Sequence, residues 1–490
     1  MKTNRIKTLL TAVLLSLCAS VSAYDFTVDG IYYNIVSLED LTCEITQAYS
    51  YCYYGDIVIP ETVTYNNKTL TVVGISSNAF LGCWGLSSVI IPKTVTYINN
   101  SAFEYCGTLS SITIPNSVKY IGGNAFYKCE NLNDIIFEDG DEPLEWKYDE
   151  YTEHTIFYGC PIDSLYIGRN LWCTNDYELF TNSSVKKLTI GNTITEIEDY
   201  SFYRCKNLTI VYLSNSVTTI GEYAFFDCNN LTKISLPNSV TMIGYKAFNN
   251  CTNLTEVSFG DSLKTISGSA FEGCTNLTEI SLPNSVSTIG GAIFKGCTNL
   301  TEVSFGNSIT TIDVSAFMDC TNLTKVSFGN SITTIGVSAF KNCRKLAEIS
   351  LPNSVTTIGG DAFEYCTKLT KISLGNSVAE IGSFALNGCS NLTTIYSLNP
   401  IPPVFNREEF TNKQYINMNV YVVKSSLSAY QTADIWKNFW NIQEYSPETG
   451  IESIRVDNGQ ENKIYDLQGR KLDAPQHGIN IINGKKVLVK

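Results

Sequence analysis

Apolar and polar positions alternate along this chain with a period longer than that of any helix or strand. Leu231, Ile234, Leu236, Val240, Ile243, Ala247, Phe248 and Cys251 are spaced by polar residues. The same order returns 23 positions later at Leu254, Val257, Phe259, Leu263, Ile266, Ala270, Phe271 and Cys274. Nine cysteines, from Cys205 to Cys389, keep the 23-residue spacing throughout. A Phe slot recurs from Phe80 to Phe363, with Leu386 in the last place, which marks out 14 coils. Self-similarity at such a period predicts a stack of equivalent units that bury their apolar faces on one another rather than in one central core.

The alternation inside a coil sets its shape. Ile234 and Leu236 fall on one face of a short strand, and Lys233 and Ser235 fall on the other. Pro237, or its equivalents Gly260, Gly306, Gly329 and Gly375, ends the strand, because Pro has no N–H for a ladder and Gly lets the chain turn. Val240 and Ile243 point inward again. Ala247, Phe248 and Cys251 close the coil through a turn too short for more than one turn of helix. Leu231, Ile234 and Leu236 keep the L-x-x-L-x-L spacing of a leucine-rich repeat. The expected fold is therefore a repeat solenoid, mostly β with short strands and turns, of about 14 coils with a cap at each end.

Where the period fails, other units are expected. Residues 1–23 read as a signal peptide: Lys2, Arg5 and Lys7, then the apolar run Leu9 to Leu17, then Val21-Ser22-Ala23. Residues 24–72 read as an N-terminal β cap, with a hairpin folded at Asp29-Gly30. Coils occupy 73–395. Residues 396–446 form a C-terminal cap with a strand at Val420–Val423 and a helix from Ser425 to Trp440, whose aromatic stripe seals the last coil. Residues 447–490 form a small β tail. No later apolar run is long enough for a spanning helix. One insertion, 138–153, carries eight acidic residues against Lys147 and lacks the spacing of a calcium loop; it reads as a solvated loop projecting from the stack.

Charge and cysteine content narrow the chemistry. A net charge of −13 argues against a nucleic-acid partner. Only two histidines occur, and there is no nucleophile elbow, metal-protease helix or phosphate loop. No enzyme activity, metal or cofactor is expected. The cysteines in strict register point in parallel, a poor geometry for disulfides, so they are expected to be buried free thiols acting as small apolar residues. Cys43 and Cys52, outside the ladder, are the pair placed to form a disulfide.

Recognition is expected on the outward strand positions. Lys233, Glu256, Glu279, Glu302, Lys325, Glu348 and Lys371 form one column. Ser235, Ser258, Ser281, Ser304, Ser327, Ser350 and Ser373 form the next. Thr265, Thr288, Thr311, Thr334 and Thr357 form a third, beyond the strand end.

The phrasing Ile114-Pro115-Asn116-Ser117-Val118, continued by Ala125-Phe126, Cys129 and Leu132, resembles the BspA-like leucine-rich repeat family over 73–395. The caps look like those of Bacteroidetes members. The final residues, ending Gly484-Lys485-Lys486-Val487-Leu488-Val489-Lys490, resemble a type IX secretion sorting signal. The resemblance implies a secreted or cell-surface adhesin whose partners are host extracellular-matrix proteins, such as fibronectin and fibrinogen, or host cell-surface proteins. The outward columns and the Tyr97, Tyr105, Tyr120 and Tyr127 set also fit a glycan-binding module, and a structural surface-layer protein is a third alternative.

Overall fold

The computed structural model describes residues 24–48, 52–146, 157–173, 180 and 183–445, with short strands between 464 and 489. The signal-like segment, part of the acidic insertion, and His154 and His477 lie outside the described residues. The chain forms a parallel β-solenoid of about 15 turns, about 23 residues apart. Each coil has three sides. A strand of three or four residues, such as Lys233–Ser235, builds a first sheet, and a two-residue strand, such as Thr265–Ile266, builds a second. The third side is a run of tight turns around the buried Phe.

Stacking is in register on every side. In the first sheet Lys233 pairs with Glu256, and Glu279 with Glu302 and then Lys325. In the second sheet Thr311, Thr334 and Thr357 align. On the turn side the Phe amide donates to the residue before the Phe slot of the next coil, as from Phe225 to Ala247 (2.8 Å) and from Phe248 to Ala270 (2.8 Å). The Phe rings form a spine with centroids 5.2 to 5.5 Å apart from Phe225 to Phe363. They overlap as offset stacks. Two residues per coil take left-handed backbone, one on each side of the Phe slot, for example Lys246 (φ 54°) and Asn250 (φ 59°).

The first sheet is not continuous. Its ladder breaks ahead of the coils that end their strands in Pro115, Pro237, Pro283 and Pro352. The second sheet breaks elsewhere, between Thr288–Ile289 and Thr311–Ile312 and ahead of Glu196–Ile197. No coil boundary from Ser111 to Ser373 has both ladders broken, so each keeps at least one sheet across it.

The thiol ladder is free and buried, and it does more than fill space. Each ladder Sγ donates to the carbonyl of a Phe one coil back, as from Cys251 to Phe225 (3.2 Å), Cys274 to Phe248 (3.2 Å) and Cys205 to Phe180 (2.8 Å). That carbonyl also accepts the amide of its own coil's cysteine. Both lone pairs of a buried oxygen are thereby filled, which a purely apolar side chain could not do. Ser183 replaces cysteine in one coil and contacts Cys205 Sγ at 3.5 Å.

The expected Cys43–Cys52 disulfide does not form. Cys43 is fully buried in the strand Thr42–Ile45, between Ile35 and Val72. Cys52 is exposed, with Sγ directed to the Leu81 carbonyl (3.6 Å). Burial pushes the Cys43 thiol up to about 12, so it is also a poor nucleophile.

The N-terminal unit contributes the turn beyond the 14 counted from the Phe slots. Tyr53 is buried and packs on Phe80 at 4.7 Å. The hairpin at Asp29-Gly30 is present, with φ of 49° and 81° at its two turn residues. Part of the acidic insertion belongs to the core rather than to a projecting loop. Leu144–Trp146 pairs with Tyr120–Ile121, and both Leu144 and Trp146 are fully buried. Arg169, 1% exposed, closes this region by donating to the Pro115, Asn116 and Val118 carbonyls at 2.7 to 3.0 Å.

At the other end the strand Asn419–Val423 continues the first sheet. The expected single helix is broken into Lys424–Ser426, Leu427–Thr432 and Trp436–Asn438, with Ile435 at φ 67°. The break lets Trp436 turn inward and donate to the Pro403 carbonyl (2.7 Å), while Tyr430 bonds Ser397 and Asn399. Trp440 stays exposed. Glu409 ends the turn-side ladder. Its carboxyl oxygens accept from the Ala385 and Leu386 amides (2.9 and 2.8 Å), the second of which a further coil would have met with a carbonyl, as Ala247 does for Phe225. The tail strands form their own antiparallel sheet, with Ile464–Tyr465 between Lys471–Leu472 and Gly478–Ile482.

Two predictions follow from this packing. Under native conditions a thiol reagent modifies Cys52 and leaves Cys43 and the ladder cysteines unmodified until denaturant is added, as peptide mapping by mass spectrometry would show. The second concerns the end cap. Burial raises the Glu409 carboxyl to about 7, against the Leu386, Ala385 and Phe384 amides, which lower it. A carboxyl raised in the folded state contributes stability below about pH 4.5 that is lost as pH rises through about 7. Unfolding measured by denaturant at pH 5 and pH 8 shows roughly 1–2 kcal/mol of loss from this group, allowing for its partial exposure, and Glu409→Gln removes it.

Candidate binding face

The predicted columns lie on the outward face of the first sheet. Inward neighbours such as Ile234, Ile280 and Ile349 are buried, so the alternation forces Lys233, Ser235 and their equivalents outward. The sheet breaks divide them into three groups, 233–258, 279–327 and 348–373. Thr265 to Thr357 belong to the second sheet, on a different side of the coil.

The charged column largely neutralises itself. Lys233 pairs with Glu256 (2.6 Å), Lys325 with Glu302, and Lys371 with Glu348 (3.7 Å). Such exposed pairs contribute about 0–1 kcal/mol each and cost little to part when a partner arrives. Glu279 has no ion-pair partner among the described residues. In the serine column Ser304 bonds Ser281 (3.0 Å).

The column does not end with serine. On the N-terminal side the same slot holds Thr113, Ile136, Tyr166, Thr189 and Tyr212, aligned in one five-stranded sheet. Ile136 is 42%, Tyr212 53% and the adjacent Ile210 43% exposed. Lys187 lies over the Tyr212 ring at 5.6 Å. On the C-terminal side Ser373 aligns with Tyr396 and then Tyr421, whose rings stack at 4.9 Å. Lys371 lies 5.2 Å from the Tyr396 ring. The face is thus a hydroxyl-lined strip with an aromatic group at each end. Reading only the regular coils missed these ends; the alternation of Ile210-Val211-Tyr212 and Thr394-Ile395-Tyr396 was the available signal.

Among the described residues no group of three metal-ligating side chains converges, and no helix is long and apolar enough to cross a membrane.

The sequence matches the family described as BspA type leucine rich repeat region at residues 43–177, 176–301, 226–347 and 287–417. A leucine-rich repeat protein from Bacteroides ovatus is 27% identical, with a TM-score of 0.50, over 86% of this chain and 100% of that one. A leucine rich cell surface protein from Faecalibacterium prausnitzii is 26% identical, with a TM-score of 0.33, over 81% and 98% of the two chains. The pneumococcal vaccine antigen PcpA is 18% identical, with a TM-score of 0.36, over 86% and 99%. No curated protein matches the chain. The family match spans most of the coils and both cap junctions, and this chain belongs to the BspA-type leucine-rich repeat family.

Proposed function

We propose that this is an exported surface protein that binds protein partners, host matrix or cell-surface proteins among them, through the outward face of its first sheet. One observation carries the reading: a long strip of small hydroxyls bounded by the exposed Ile210 and Tyr212 at one end and the half-buried Tyr396–Tyr421 stack at the other. Large rigid side chains such as Tyr supply most of the energy of protein contacts, and small polar residues between them allow close approach. The repeated slots multiply weak contacts along one partner, so avidity contributes beyond any single residue. Export rests on the signal-like N-terminus and the sorting-like tail.

The test is saturable binding of the purified protein to a panel of extracellular-matrix proteins and host cells. Tyr212→Ala and Tyr396→Ala each weaken the strongest binding by about tenfold or more, close to 1.4 kcal/mol. Thr311→Ala on the second sheet leaves it unchanged. Binding that is absent, or that tolerates both Tyr variants, removes the proposal.

A further inference from the structure

The turn side of the coils carries a second feature, independent of the strand face. Each coil places two residues on this side directly after its buried Phe, most of them half-buried and Asn249 buried. Down the chain the first of these reads Phe226, Asn249, Glu272, Lys295, Met318 and Lys341. The second reads Asp227, Asn250, Gly273, Gly296, Asp319 and Asn342. Two consecutive glycines remove the side chains from two neighbouring coils. The result is a groove of about 360 Å³ with Gly273 and Gly296 as its floor, within the size range of small-ligand sites.

The backbone does not require those glycines. The slot is left-handed in every one of these coils, yet Asn250 (φ 59°), Asp319 (φ 63°) and Asn342 (φ 63°) occupy it. Asn and Asp tolerate that conformation best among residues with a side chain. A Cβ at Gly296 would meet nothing closer than 3.9 Å. The space over Gly296 is therefore open, whereas the space over Gly273 is taken up by the Asn250 side chain.

The walls are one aromatic plane and a set of fixed polar groups. Phe226 is braced by stacking on Tyr203 at 5.0 Å. Glu272 is held by Lys295 Nζ (3.1 Å) and Asn249 Nδ2 (3.3 Å). Asp319 accepts from Asn342 Nδ2 (2.8 Å) at the far end. Lys246 is steadied over the Tyr223 and Tyr245 rings (5.6 and 5.2 Å). Two lysines and two carboxylates line the groove, so it carries no net charge. Further along, Lys341 bridges Asp361 (3.5 Å) and Glu364 (2.5 Å), and long side chains again cover this side.

We propose that this groove binds a neutral oligosaccharide. A pyranose ring presents an apolar C–H face and a rim of hydroxyls. The first suits the Phe226 ring, and the second suits amides that donate and accept, carboxylates that accept and lysines that donate. Held polar groups lose little freedom on binding, which favours a small polar ligand. A charged glycan or nucleotide would find no excess of opposite charge, and a peptide's apolar anchor would find only one apolar wall.

The test is a glycan array of neutral and anionic oligosaccharides probed with the full chain, followed by calorimetry on the hits. Gly296→Asn fills the floor with a residue the same slot already accepts, so the melting temperature is unchanged. Phe226→Ala removes the platform, and Glu272→Gln provides a second polar variant should either fail to fold. The expected result is a neutral saccharide whose affinity falls about tenfold or more in the groove variants and is unaltered by Tyr212→Ala. Hits confined to anionic glycans, no neutral hit, or neutral binding that survives these variants would overturn the assignment. So would loss of a protein ligand, rather than a saccharide, on Gly296→Asn. Because Tyr212 and Gly296 lie on different sides of the coil, failure here and failure of the protein-binding reading are separately visible.

Discussion

The turn-side contact between successive coils is the interaction on which the rest depends. One coil of 23 residues cannot cover its two open faces, so its apolar groups and backbone are satisfied only by neighbours. The Phe slot does this in three ways at once. Its ring stacks on the next ring, its amide donates to the next coil, and its carbonyl takes the next coil's thiol. At the C-terminal end of the stack Glu409 supplies acceptors in place of a further coil, at the cost of burying a carboxyl.

Register follows from that contact, and the outward surface follows from register. Since every coil advances by one equivalent step, any outward slot becomes a column. A column of identical residues is a uniform strip, and a column that changes residue is a bounded site. The strand face changes from serine to Tyr212 at one end and to Tyr396 at the other. The turn side changes from side chains to Gly273 and Gly296 and back to Asp319. Breaks in one sheet where Pro coils follow are bridged by the other sheet, so these substitutions leave the stack intact.

Much of this was legible in the sequence. The 23-residue recurrence of Phe and Cys gave the coil, its inward slots and its free thiols, because each depends on a local pattern repeated many times. What was not legible depends on neighbours one coil away. The Sγ bond from Cys251 reaches Phe225, 26 residues back, and no spacing within a coil reveals it. The proposed Cys43–Cys52 pair failed because sequence proximity does not report which face of the cap each side chain occupies. Leu144–Trp146 looked like part of an acidic loop, yet its two apolar residues bring it back to the sheet. The continuous helix expected over 425–440 ignored the demand of Trp436 for a buried acceptor.

The central claim is that coil-to-coil register, rather than any single coil, holds the structure and places its faces. Excising one whole period, residues 279–301, joins Thr278 to Glu302 and returns every later residue to an equivalent slot. Excising residues 279–289, a run that is not a full period, does not. Thermal unfolding followed by circular dichroism, with ladder-thiol accessibility read in parallel, compares the two. The account predicts that the full-period deletion keeps a cooperative transition and protected thiols, while the shorter deletion loses both. A full-period deletion that unfolds or exposes its thiols as much as the shorter one would contradict it.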